Sequence, residues 1–297
     1  MKFKKRQCWA DRTDATLIRG LDSMHVIMPL MMKNRADNEA FIQESFDTTA
    51  LDRYLEEKNA GNPEHRYTIF QAMLAAVGRT IQMRPKMNSF ICGERYYQRE
   101  GISFSFVAKK VFSDSSDETI AILDYDTDDT RSSMEQMHEK LCTFLYDARQ
   151  NDKTDDTTNT LDTMVKMPFF MVRFVINTLH WLDRHGWMPK GLLKEDPYAS
   201  TVFLSNIGSL KMRAGYHHLS NWGTNSLFIL IGEKMNAPVF DEKGGYEMKP
   251  TIEIGITLDE RIADGYYYAK TVRILKHLLT HPELLDEPCN REVEVNV

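Results

Sequence analysis

The chain has 297 residues, of which 42% are hydrophobic and 27% charged, and it carries a net charge of −6. That is enough chain for one large domain or two small ones, in the composition of an ordinary globular protein. The acidic balance weighs against nucleic acid or an anionic membrane as the main partner, without forbidding a local basic pocket. Cys8, Cys92, Cys142 and Cys289 are scattered with no CxxC pair. They make neither a zinc site nor a dense disulfide framework, and a reducing, cytoplasmic setting is the simpler expectation. The basic N-terminus MKFKKRQCWADR has no apolar run behind it, so no signal peptide is expected. The most apolar long stretch, 167–187, is interrupted by Arg173, His180, Asp183 and Arg184, which predicts an amphipathic helix and no membrane span.

Taken in chain order, residues 17–35 read as a methionine-rich helix. NEAFIQESFD (38–47) alternates like a strand, and Thr48-Thr49 caps a short helix over about 50–59. GNPEHRYT (61–68) is a loop. From Tyr67 to Met83 apolar residues recur at three and four (Ile69, Phe70, Met73, Leu74, Val77, Ile81), and Arg84-Pro85 ends that helix. NSFICG (88–93), ISFSFVAKKVF (102–112) and ETIAILDYD (118–126) are strand candidates. The second places its polar residues on one face, as an antiparallel strand does. A helix runs from Thr130 to about Gln150, then a polar loop NDKTDDTTNT (151–160). A further helix spans about 161–185 and stops at Gly186. The last third is β-rich: 201–210, 226–233, a hairpin from Val239 to Lys249 around Lys243-Gly244-Gly245, and 250–259. A helix over 265–280 closes the chain. Strands and helices do not alternate regularly, so the fold class expected is α+β with a mixed, mostly antiparallel sheet. No strong linker divides 1–297, which is read as a single domain.

Nucleotide motifs are missing: there is no GxxxxGK[ST] and no GxGxxG after a strand. No close metal spacing appears either. His217 and His218 are adjacent and would point to opposite faces of a strand, and DTDDTRSSMEQ lacks the glycine and terminal glutamate of a calcium loop. Two places carry candidate chemistry. Ser205-Asn206-Ile207-Gly208 ends an apolar strand, where a hydroxyl and nearby N–H groups can face a cleft; a plain strand-end turn explains the same text. Glu260 with Asp264 offers two carboxylates for acid–base work, or a turn salt bridge through Arg261.

The order of these pieces resembles the catalytic domain of the 2-oxoacid dehydrogenase acyltransferases and, more distantly, chloramphenicol acetyltransferase. In that family a strand ends in His-Arg-x-x-Asp-Gly and leads into the last helix; here the matching text is Glu260-Arg261-Ile262-Ala263-Asp264-Gly265. The family's earlier strand ending in Ser/Thr-Asn/Ser-x-Gly is matched by Ser205-Asn206-Ile207-Gly208. Between them, Phe228 to Gly232 resembles an apolar strand ending in glycine, and Ala237 to Lys249 a charged hairpin. YTIFQAMLAAVGRTIQMRPKMNSFI is similar to the family's helix followed by a Pro-x-x-Asn turn, with Pro85 and Asn88 in place. SFSFVAKKV resembles its next strand. The resemblance covers about 15–285 and is most specific in the last third. Residues of about 151–190 look like a helical insertion. Lipoyl domains, Ala/Pro-rich linkers and a subunit-binding domain have no counterpart.

The resemblance implies a two-layer CoA-dependent acyltransferase fold that assembles as a homotrimer, with its active site in a channel between subunits. Coenzyme A (or acyl-CoA) enters from one side and a small thiol, hydroxyl or amine acceptor from the other; no metal, nucleic acid or membrane is implied. It assigns Ser205 as the oxyanion donor and Asp264 as a structural carboxylate paired with an arginine, Arg12 or Arg19. Asn206, Gly208 and Gly265 complete the two motifs. The departure is Glu260, which stands where the family has its catalytic histidine. Histidine titrates near 6.5 and a free glutamate near about 4.3, a difference of roughly 3 kcal/mol in proton-transfer driving force. Burial of the glutamate would offset this, or His217 or His218 would act as the base. The other expectation is a catalytically inactive homologue that binds acyl-CoA or a partner protein.

Overall fold

The computed structural model describes residues 2, 11–109, 118–150, 166–241, 243–292 and 294. Among these residues nine strands form two sheets. β1 (Ala15–Leu17), β4 (Arg95–Arg99) and β3 (Ser89–Cys92) make a small sheet in the order β1-β4-β3. The main sheet has the order β2-β9-β8-β7-β5-β6. Its strands are β2 (Glu39–Asp47), β5 (Ile102–Lys109), β6 (Glu118–Tyr125), β7 (Val202–Asn206), β8 (Leu227–Phe240) and β9 (Tyr246–Asp259). β7 runs parallel to both β5 and β8, and the remaining pairs are antiparallel. This is the mixed, mostly antiparallel α+β arrangement expected.

Four helices cover one face: α2 (Thr49–Asn59), α3 (Ile69–Met83), α4 (Ser133–Gln150) and α7 (Gly265–Thr280). The predicted helical repeat of α3 carries Met73, Leu74, Val77 and Ile81 into a core shared with Leu204, Ile229, Ile256 and Leu278. Its start is fixed by a reciprocal cap: Thr68 Oγ1 accepts from Gln71 N, and Gln71 Oε1 accepts from Thr68 N at 2.7 Å. The opposite sheet face is also covered. Phe203, Phe228 and Leu230 lie there beneath the irregular segment 211–225, which contributes Leu219. Hence β8 is buried continuously from Leu227 to Ile231 instead of alternating.

Several sequence expectations shift. The helix read over 17–35 is only α1 (Ser23–Met31). Gly20 adopts φ +74° and breaks the chain there, Ala15–Leu17 is captured by the edge of β4, and Asp22 caps α1 through Met24 N and His25 N. β4 itself escapes the pattern, because its hairpin turn is Gly93-Glu94, both residues left-handed (φ 56° and 64°), and lacks the usual Asn-Gly signal. The polar face of β5 is not solvated. Ser103 and Ser105 are buried, and Ser105 Oγ donates to Pro197 O at 2.9 Å. The part of the helix expected over 161–165 lies outside the described residues; from there α5 spans Phe169–Arg184 and α6 Lys190–Glu195. Among the described residues no helix is long and apolar enough to cross a membrane.

Candidate functional site

Glu260 follows the last residue of β9 and is exposed. Its backbone is tightly held: Glu260 N donates to Asn38 O at 3.0 Å. On one side Asp259 is fully buried and receives Arg261 Nε and Nη2, each at 2.7 Å. Arg35 Nε lies 3.7 Å from the same carboxylate. Arg261 Nη1 reaches further, donating to Met32 O at 2.6 Å beyond the end of α1. From the helix side, Tyr268 Oη donates to Asp259 O at 2.8 Å and accepts from Ala263 N at 3.1 Å. Arg261 is therefore turned inward onto Asp259, and the turn salt bridge between Glu260 and Arg261 does not form. Among the described residues no cation pairs with the Glu260 carboxylate. The result is a hydrogen-bonded turn that presents to solvent a carboxylate with no cationic partner among the described residues.

Asp264 is exposed and accepts the Tyr267 N–H at 2.8 Å as the N-cap of α7. That hydrogen bond holds its carboxyl below the usual range, assisted by Lys86. Gly265 is the first residue of the helix. Arg12 is not its partner. That guanidinium is buried against Asp14 (2.9 Å) and Asp183 (2.8 Å) at the foot of α5, and it stacks on Phe90. The buried aspartate–arginine pair of this motif is Asp259 with Arg261, a spacing that a carboxylate before the turn and a guanidinium after it make possible.

Ser205 and Asn206 end β7. Ser205 is half-buried and Asn206 exposed. Gly208 follows at the start of a short 3-10 turn, where a Cβ would come within 2.3 Å of Gly232 O. Glycine is required by that approach of β8. The same logic seats the 211–225 segment on the sheet: a Cβ on Gly255 would meet Gly215 O at 1.7 Å. His217 and His218 therefore do not sit on a strand with opposed side chains. Both are exposed, and their rings stack on each other at 4.6 Å. His217 also stacks on Phe228 at 4.3 Å, and Phe228 on Phe203 at 5.0 Å. Phe203 and Ser205 point to the same face, so His217 lies one strand over and two residues back from Ser205.

The structure thus brings Ser205 and His217 onto one face, and does not bring Ser205 to Glu260. Ser205 pairs with Leu230, and Leu230 with Gly255. From Gly255 to Glu260 is about 17 Å at roughly 3.4 Å per strand residue. The two groups mark opposite ends of the same sheet.

One residue near this segment escaped sequence reasoning. Asp196, in the turn after α6, accepts the Trp222 indole N–H at 2.7 Å and the Tyr198 N–H at 2.9 Å. It clamps the far end of the 211–225 segment. Burial pushes its carboxyl up to about 6, against the pull of those two hydrogen bonds. A raised carboxyl binds its proton in the folded state before the unfolded chain does, so stability falls as pH rises from about 4 through 6. Asp196→Asn is expected to remove up to about 3 kcal/mol of that pH-dependent loss. Urea midpoints of both proteins between pH 4.5 and 7.5 check it; parallel profiles would refute the assignment.

No protein-family model matches the chain, and no curated protein matches it. Solved structures do. A dihydrolipoamide acetyltransferase from Azotobacter vinelandii superposes with a TM-score of 0.57 at 14% identity, covering 90% of this chain and 93% of that one. The truncated catalytic core of the 2-oxoacid dehydrogenase multienzyme complex from Thermoplasma acidophilum gives 0.53 at 14%, covering 89% and 98%. A chloramphenicol acetyltransferase gives 0.52 at 12%, covering 89% and 99%. At these identities the likeness is one of fold: the chain has the two-layer fold of the chloramphenicol acetyltransferase-like proteins.

Proposed function

We propose that the protein is a CoA-dependent acyltransferase whose site is completed between two copies of the chain, Glu260 of one facing Ser205 of the next. The observation that carries this reading is the pair of half-sites. A carboxylate with no counter-ion among the described residues is presented by a braced turn at one end of the sheet. A half-buried strand-end hydroxyl and a histidine pair sit at the other, too far away to cooperate within one chain. A closed ring of three copies brings unlike ends together by repeating one heterologous contact. The solved structures of this fold are named as acetyltransferases, which supports acyl-CoA as the donor.

In this reading Glu260 takes the proton from the attacking thiol, hydroxyl or amine as it adds to the thioester carbonyl. The Ser205 hydroxyl donates to the oxygen that becomes negative in the tetrahedral intermediate. Collapse expels CoA thiolate, which recovers a proton. Asp264 acts as a helix cap that fixes the start of α7 behind the turn, and Gly208 and Asn206 shape the strand end. His217 is the second candidate base, because it shares a face with Ser205.

The test is complementation. Chains carrying Glu260→Gln and chains carrying Ser205→Ala are each expected to be inactive in release of free thiol from acetyl-CoA across a panel of small acceptors. Unfolded together and refolded as an equal mixture, they are expected to recover activity in about a quarter of the sites, since each site takes one residue from each chain. No recovery from a mixture of two folded, mixed-assembling variants of an active parent would overturn the shared site. An inactive parent that still binds CoA would favour the non-catalytic homologue.

A further inference from the structure

We propose that α5 is a self-association surface that pairs antiparallel with α5 of a second copy of this chain, about a twofold axis passing between Phe174 and Asn177. This goes beyond the acyltransferase reading and does not depend on it.

The helix has two apolar sides. Val172, Val175, Ile176, Leu179 and Leu182 are half-buried and turned to the body, with Asp183 buried and tied to Arg12. The other side carries Phe170, Phe174, Asn177 and Trp181, at successive spacings of four, three and four. That is the spacing of a helix–helix seam, which keeps one stripe facing a partner helix. Phe170 and Phe174 are each 72% exposed and Trp181 49%. Phe169, 80% exposed, flanks the stripe at the start of the helix, and Trp187, 37% exposed, lies just beyond its end.

Area identifies the occupant as something large. At roughly 200 Å² per aromatic residue, these five leave about 600 Å² exposed, the upper end of what a monomer leaves uncovered. Two copies would bury on the order of 1,200 Å² from these residues alone, where specific protein interfaces begin. The order of residues makes the stripe complementary to itself. Laid antiparallel, Phe170 meets Trp181 of the second copy and Phe174 meets Asn177, and the same pairs repeat across the axis. A single polar residue in an apolar seam is how helix pairs fix register. A lipid surface fits less well. A helix that lies on one carries a polar face rich in lysine and arginine. The cations of α5 are Arg173 and Arg184, and Arg184 is held by Glu94 at 3.1 Å.

Sedimentation velocity of the full chain tests this. The double variant Phe170→Asp with Phe174→Asp is expected to lower the assembly mass at least twofold while leaving the far-ultraviolet circular dichroism unchanged. Phe174→Asp alone is expected to weaken self-association by about tenfold or more. Adding Asn177→Arg to it should restore association, because each new aspartate then faces a new arginine across the axis; only an antiparallel, isologous contact is rescued in this way. Equal masses for the native chain and the double variant would overturn the proposal. So would binding of the native chain to phosphatidylglycerol vesicles that the double variant loses with no change in mass, which would assign the stripe to lipid.

Discussion

Replacing Glu260 by glutamine is expected to reduce acyl transfer from acetyl-CoA by a factor of about 10²–10⁴, the range for loss of a positioned general base. The substitution keeps size and polarity and removes only the ability to take a proton. Folding should be untouched, because the side chain is exposed and its backbone is held by Asn38 O, not by the carboxylate. Glu260→His is the informative companion. A free glutamate lies a little over two pH units below a free histidine, so imidazole is the stronger base near neutrality. If the native chain is active and the histidine variant faster at neutral pH, the site uses proton abstraction at this position, and the natural residue is tuned for something other than maximum rate. If glutamine leaves the rate unchanged, Glu260 is not the base and His217, over Phe228, takes its place. His217→Gln then becomes the deciding measurement.

Asp259→Ala is expected to destabilise the fold by about 3–5 kcal/mol, the cost of stripping the counter-charge from a buried ion pair. Arg261 and Arg35 both lean on this one carboxylate, at 2.7 Å and 3.7 Å. Burial lowers the proton affinity of the Arg35 guanidinium, and Asp259 is the charge that opposes this. Removing Asp259 leaves two buried cations facing each other. Arg261→Met should cost less, because Arg35 remains to neutralise the carboxylate and the methionine fills part of the space. Urea unfolding of the two variants against the native chain checks the order. Equal losses would mean that Arg35 does not share the pair. Both variants should also lose activity beyond their loss of folded protein, since the turn that presents Glu260 is braced by this pair.

Much of the architecture was legible because it is local. The three-and-four repeat of α3, the alternation of β2 and the hairpin turn before Tyr246 each follow from one stretch of chain and its turn residues. Glu39–Asp47, Ile69–Met83 and Gly265–Thr280 fall within a few residues of their expected bounds. β4 was missed because Arg-Tyr-Tyr-Gln-Arg has no clean period and its turn uses Gly93-Glu94. The buried serines of β5 were misread because alternation reports a polar face but not what covers it; here Ser105 bonds to Pro197 O and Ser200, and Ser103 Oγ accepts from the Thr201 N–H.

The site divides in the same way. The types and order of Ser205, Glu260 and Asp264 stand in the one-dimensional text, and so does the substitution of glutamate for histidine, because a motif is a run of neighbours. What faces what does not. That Arg261 turns in to Asp259 and leaves Glu260 free follows from burial of a carboxylate that only tertiary packing creates, and the same is true of Asp196, whose raised carboxyl comes from the residues folded over it. The separation of Ser205 from Glu260 is set by strand direction and register, which pair Leu230 with both Ser205 and Gly255. Sequence determined which chemical groups this protein has to work with. The tertiary structure alone decided that one chain keeps them apart, because burial and strand register are long-range properties of the packed sheet.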